Sequence, residues 1–381
     1  MLKKSKWLKQ MSIGRNWLDF TDCLSLNKKP HLIYGQQRMG VVGVNRMPSS
    51  FLLNNQDDVG MAERVNSAYL ECESIARAAS SSFFRSFRHL PEPKRKAVNA
   101  LYAFCRRVDD IVDGDWLPDG DLSHLDSLTK AQSEALLEQR SFNSLFSEQE
   151  HFERLRALNS FRENLDLIES GSKMSEPMFI ALADTLHRYP IEMVHLRELI
   201  NGMEDDLFET TYERFEDLRR YCYRVASTVG LCLIEIYGYS DPNARRHAVE
   251  MGIFLQLVNV LRDIQEDLSR NRVYIPSEEL AKFGIAQSDL RDPKLAGTKA
   301  WQNFMRHYID HIHAHRKSAL GLLPLLDKDA RRSPRLMCMA YNAILSEAVR
   351  RNGDVLSRRL TLNFYRKMQV AFSTLLSPNF D

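Results

Sequence analysis

The chain has 381 residues, with 52 Lys and Arg against 50 Asp and Glu, and 44% of it is hydrophobic. That is the composition of a globular protein with enough chain for one large core or two domains, and its near-balanced charge lacks the footprint of a nucleic-acid binder. Only 16 Gly and 13 Pro suit a mainly helical fold.

Residues 1–60 stand apart: nine Lys/Arg against four Asp, with Asn, Gln, Ser and Gly clustered in the second half and no persistent period. They read as a poorly ordered extension. A basic arm on anionic lipid is one role for it; a tail without a role ahead of Met61 is the reading preferred. The first residues are basic, but no apolar run follows, so no signal peptide is expected. No stretch of 18 apolar residues exists, so no transmembrane helix is expected either. The six cysteines form no Cys-x-x-Cys pair and sit among apolar residues. Buried free thiols in a cytoplasmic protein are the simplest account.

From about residue 62 a helical period dominates, and 61–381 reads as a single all-α domain. In 92–114, Ala97, Leu101, Phe104, Val108 and Ile111 form a core-facing stripe, and Tyr102, Arg106, Asp109 and Asp113 form another. Residues 115–155 are polar, with Pro118, Gly120 and one short helical pattern near 129–140, and read as an inserted segment. In 217–238, Ala226 and Gly230 lie four apart, which admits a close neighbour. In 245–268, Leu257, Leu261, Ile264 and Leu268 make one face, and Gln256, Asn259, Asp263 and Asp267 make another. Pro276 and Pro324 fall at expected breaks between helices. His311, His313 and His315 alternate, which is not the four-residue spacing of a helical zinc site, so that run reads as helix surface. No internal repeat and no convincing strand appears.

Two aspartate pairs carry the chemistry: Asp109 with Asp113 in CRRVDDIVDGD, and Asp263 with Asp267 in QLVNVLRDIQED. At four-residue spacing each pair stacks on one helix face, where like charges repel. A compensating cation is implied, and Mg²⁺ suits carboxylates shared with a phosphate. One such pair alone reads as a solvated face. Two pairs, the second preceded by Gln256 and Asn259 among apolar neighbours, point to a diphosphate site holding a few Mg²⁺ between facing helices. Arg106, Arg262, Arg272 and Tyr274 could bond phosphate oxygens. Phe83, Tyr102 and Tyr221 could stabilise a carbocation inside apolar walls. Tyr102 and Phe83 read equally as plain core aromatics.

Taken together, ALYAFCRRVDDIVDG (100–114), GMEDDL (202–207), YCYRVASTVG (221–230) and LQLVNVLRDIQEDLSRNRVYIPSEEL (255–280) resemble the squalene/phytoene synthase family across about residues 65–370. The resemblance implies an all-α isoprenoid-synthase fold around a central cavity. It implies that Asp109, Asp113, Asp263 and Asp267 hold two or three Mg²⁺ with the diphosphates, and that Arg106, Arg262, Arg272 and Tyr274 contact phosphate. Gln256 and Asn259 would line the cavity, with Tyr102 and Tyr221 near the reacting carbons and Phe83 in the wall. Ser80 and Ser82 match the serines of a family His-Ser-Lys-Ser-Phe-Tyr segment, which here runs Ala79-Ser80-Ser81-Ser82-Phe83-Phe84 without the histidine and lysine.

That Ser-Ser-Phe form and the stretch 340–368 look like the hopanoid branch, so the expected reaction joins two farnesyl diphosphates into presqualene diphosphate. Phytoene or dehydrosqualene formation, and complete squalene synthesis with NADPH, are the enzyme alternatives. No Gly-x-Gly-x-x-Gly or other nicotinamide signature supports NADPH. A class I terpene cyclase would replace the second Asp-x-x-x-Asp by another motif. A non-catalytic helical scaffold need not keep all four aspartates. No protein partner is implied, and the oily product alone suggests peripheral contact with the inner membrane face.

Overall fold

The structure, a computed structural model, describes residues 55–79 and 82–361, apart from the side chains of 55–59, 82, 83 and 210. Ser80, most of the 1–60 extension and the end of the 340–368 stretch lie outside the described residues, as do the side chains of Ser82 and Phe83.

Helix α1 (Asn55–Ala78) runs through Met61. After the short α2 (Ser82–Phe87) comes α3 (Glu92–Asp113), which a proline in its first turn starts and Gly114 ends. Gly114 has φ 75°, the left-handed cap that glycine adopts without strain. Ala97, Leu101, Phe104, Val108 and Ile111 of α3 are all buried, as their spacing predicts. Segment 115–155 contains α4 (Asp126–Leu137), and its last residues belong to α5 (Glu148–Glu169). A reciprocal Ser147–Glu150 cap starts α5, and Phe161 packs in its core against Phe104 and Phe179.

Helices α6 (Pro177–Arg188) and α7 (Met193–Glu204) lead to a one-turn 3₁₀ helix, Asp205–Leu207. Helix α8 (Phe215–Cys222) runs through a π-helical turn, Tyr223–Ser227, into α9 (Thr228–Tyr237). Helix α10 (Asn243–Arg262) lies against that turn so closely that a Cβ on Gly252 would stand 2.5 Å from the Ser227 Cα. A Cβ on Gly230 would lie 3.1 Å from the Ala248 carbonyl oxygen, so the close neighbour admitted by Ala226 and Gly230 is the α10 backbone. Leu257, Leu261, Ile264 and Leu268 are buried.

After α10 come α11 (Ile264–Leu268), α12 (Ser277–Ala281), α13 (Lys299–Ala319) and α14 (Arg332–Arg350). Pro276 stands just before α12, whereas Pro324 lies inside a short 3₁₀ helix, Leu320–Leu325. The one named sheet among the described residues pairs Thr210–Thr211 with Arg272–Val273 in parallel. Cys72, Cys105, Cys222, Cys232 and Cys338 are buried free thiols, and Cys23 lies outside the described residues. No helix among the described residues is long and apolar enough to cross a membrane.

Candidate active site

Helix α3 carries the first aspartate pair inward: Asp109 is 3% exposed, and the Asp113 side chain 2%. Asp113 is gripped from the far end of the chain. Arg270 Nη1 lies 2.6 Å from its Oδ2, and Arg272 Nη1 donates to its Oδ1 at 3.1 Å.

Asp206 is the hub behind this pair. It sits in the 3₁₀ turn after α7 and accepts hydrogen bonds from the Tyr274 hydroxyl at 2.6 Å and the Tyr221 hydroxyl at 3.1 Å. The Arg272 guanidinium is 3.7 Å from it. The Tyr221 and Tyr274 rings are 5.0 Å apart. Burial first, then the Asp206 charge, pushes both phenols well above their usual range, which keeps them protonated and donating.

Arg272 is 1% exposed, and burial opposes its charge while Asp206, Tyr274 and Asp113 support it. Its Nε and Nη2 nevertheless find no hydrogen-bond partner. Open N–H groups on a buried guanidinium are costly and suit an anionic oxygen ligand. A narrow hollow of about 10 Å³ lies beside them, bounded by Asp267, Arg272, Tyr274 and apolar neighbours such as Val260 and Leu290. The strand Arg272–Val273 and the kinked end of α10 thus bring Asp267 close to the partner of Asp113.

Asp263 departs from the expected stacking. It breaks the helix, with φ −111° and ψ 15° between α10 and α11, although the Asp267 amide still bonds its carbonyl at 2.9 Å. Its carboxylate takes Arg262 Nη2 at 2.8 Å and Arg359 Nε at 2.8 Å, whereas Asp267 borders the small hollow with Arg272. Two of the four expected phosphate contacts are also committed to carboxylates within the protein. Arg262, fully buried, is spent on Asp263, and Arg106 donates its Nε to Asp110 at 2.9 Å. Burial raises the Asp110 carboxyl to about 6, with the Arg106 charge holding it back.

Gln256 and Asn259 bond each other at 3.1 Å and border a second, apolar hollow. It holds about 50 Å³ between α9, α10 and α14, with Ala226, Gly230, Leu233, Leu255 and Met337 among its walls. Ala226 of the π turn lines this hollow, and such distortions recur at functional sites. Tyr102 is buried and meets the Phe87 ring edge-on at 5.9 Å.

Asp206, Arg270 and Asp110 join the site without having been marked by spacing or motif. Asp206 stood in the quoted GMEDDL, but nothing in the spacing told which of its acids would turn inward.

A model of the squalene/phytoene synthase family matches residues 76–366. The chain belongs to that family. The 15-cis-phytoene synthase of Synechococcus elongatus is 31% identical over 316 residues, covering 80% of this chain and 91% of that one. The fold is that of a dehydrosqualene synthase (TM-score 0.66, 23% identity, covering 83% of this chain and 98% of that one). It is also that of squalene synthase HpnC from Alicyclobacillus acidocaldarius (TM-score 0.62, 24% identity, covering 77% and 98%). The chain is thus a helical prenyltransferase of the type that condenses isoprenyl diphosphates head to head.

Proposed function

We propose that this prenyltransferase joins two geranylgeranyl diphosphates into a cyclopropylcarbinyl diphosphate on the way to phytoene. Diphosphate leaves the first substrate with the C–O electron pair. The double bond of the second attacks the allylic carbon so exposed, and loss of a proton closes the three-membered ring. The observation that carries the reading is Arg272: a buried guanidinium with two unbonded N–H groups, seated between Asp113 and the hollow that Asp267 borders.

The donor set fits Mg²⁺, which takes carboxylate and phosphate oxygens. Asp109, Asp113 and Asp267 would hold it, and Asp263 is the fourth carboxylate, held here by Arg262 and Arg359. When bound, Mg²⁺ would neutralise charge developing on the leaving diphosphate. Arg272 and Arg270 would bind and orient phosphate oxygens, and the protonated Tyr221 and Tyr274 would hold Asp206 as their counterweight. The apolar hollow beside Gln256 would take a prenyl chain and exclude water from the cation.

The choice of geranylgeranyl over farnesyl diphosphate rests on relatives named phytoene synthase. The presqualene diphosphate reading is supported by the Ser80-Ser81-Ser82-Phe83 segment. One assay separates them. The protein with Mg²⁺ is given each diphosphate in turn, with and without NADPH, and products are read by mass spectrometry. Turnover of geranylgeranyl diphosphate without NADPH is expected. Product from farnesyl diphosphate alone would overturn the chain-length assignment, and product from neither would overturn the reaction.

A further inference from the structure

A second cluster of ligand atoms is built from residues that follow Arg272 in the chain. Glu279 on α12 and His307 and His311 on α13 bring one ligand atom each within 4.8 Å of one another. The two histidines are four apart on one helix, so they stack on one face. His307 Nε2 is 2.7 Å from Glu279 Oε2 and 3.3 Å from His311 Nε2.

A single proton on His307 Nε2 serves one of these contacts well and the other poorly. If His307 Nε2 carries a proton, it donates to the Glu279 carboxylate at 2.7 Å, and the His311 Nε2 lone pair is left as a longer second acceptor at 3.3 Å. If it carries none, it meets the carboxylate oxygen with lone pair facing lone pair. A metal ion in place of that proton would bind all three groups, the 2.7 Å Glu279–His307 contact widening as the ion enters. Zinc–nitrogen bonds of about 2.0–2.1 Å at tetrahedral angles set ligand atoms roughly 3.3 Å apart, which is the separation of the two imidazole nitrogens.

The surroundings hold the three groups in place. Lys282 Nζ binds the other Glu279 oxygen at 2.6 Å, which aims Oε2 at the histidines. The Phe215 ring lies 4.5 Å from His311, and Phe283 lies 5.5 Å from His307.

We infer that Glu279, His307 and His311 form a site for a zinc-class transition ion, separate from the diphosphate site and clipping α12 to α13. Two nitrogens and one carboxylate oxygen suit zinc or cobalt better than magnesium. Filling the site sends the proton of His307 Nε2 to solvent. Tyr274 lies five residues before Glu279 in sequence, so the clip would steady the stretch that delivers Arg272 and Tyr274.

The test uses the full chain, stripped of metal and then held in excess Mg²⁺ to occupy the oxygen-rich site. Titration with Co²⁺ is expected to give one equivalent with the intense visible bands of a low-coordinate ion, displaced by Zn²⁺. His311→Ala and Glu279→Gln should weaken binding by more than the roughly 10–100-fold that loss of an outer-shell partner costs. His313→Ala, an exposed position on the same helix, should leave it unchanged. Wild-type protein that retains no Co²⁺ or Zn²⁺ overturns the site. So does binding that survives both His307→Ala and Glu279→Gln. Should a variant lose its helical circular dichroism, the decision passes to the wild type: its melting temperature must rise with Zn²⁺, and an unmoved one counts against the site.

Discussion

Asp113 and Arg272, 159 residues apart in the chain, meet at 3.1 Å with the carboxylate side chain 2% and the guanidinium side chain 1% exposed. Two segments that local sequence cannot relate are thus tied at the point where the first aspartate motif ends. A buried pair of this kind is weak evidence for net stability, but removing one partner leaves the other charged and buried.

Arg272→Met should therefore destabilise the fold by about 3–5 kcal/mol, since Asp113 and Asp206 both lose a counter-charge. Arg272→Lys keeps the charge but not the planar fork. It should retain most of the stability while losing about 10²-fold or more in kcat, the scale set by losing one oriented donor. Urea denaturation alongside steady-state rates checks both, and a Lys variant with wild-type kcat would remove Arg272 from phosphate binding.

Asp113→Asn and Asp109→Asn should each lower turnover by at least about 10²-fold, with helical circular dichroism preserved, if these carboxylates hold the ion that stabilises the leaving group. Chelation should abolish product and Mg²⁺ restore it. Normal product formation by either variant, or by chelated protein, contradicts the metal assignment.

Gly252→Ala places a methyl 2.5 Å from the Ser227 backbone, where α10 crosses the π turn. Overpacking of this sort costs about 1–3 kcal/mol, and the displaced helix borders the apolar hollow. A lower denaturation midpoint and reduced turnover are expected. Gly297→Ala, with open space around it, should stay within about 0.5 kcal/mol of wild type.

His151 is buried, stacks on Phe142 at 4.2 Å and shares a 2.7 Å contact with the Asn143 carbonyl. Burial lowers its pKa below the usual 6.5, against the carbonyl contact. The unfolded chain then binds the proton more tightly. This contribution is complete above about pH 6.5 and is lost as the pH falls toward the depressed folded value. The stability advantage of wild type over His151→Gln should shrink between about pH 7.5 and about pH 5.5. Thermal melts at both values test it, and an advantage that is constant or grows on acidification refutes it.

The helical architecture was legible because helix signals are local. The stripes of 92–114 and 245–268 repeat every three or four residues, and the cap at Gly114 follows from one residue's backbone freedom. The buried positions of Gln256 and Asn259 followed from the same count. The histidines show the limit of reading a run by itself. His311, His313 and His315 drew the eye, but of the pairs four apart it is His307 with His311 that meets a common acid, Glu279, which lies 28 residues before His307.

What the sequence determined by itself, then, was a helical chain with four inward aspartates, because side-chain phase along a helix depends only on near neighbours. The tertiary structure alone decided what those aspartates face. Asp263 turns to Arg359, 96 residues away, Asp113 turns to Arg270 and Arg272, and Asp206 collects Tyr221 and Tyr274 from two other segments. Each of these choices balances a buried charge against whichever counter-charge the packed helices bring within reach, and that balance exists only once the chain has folded.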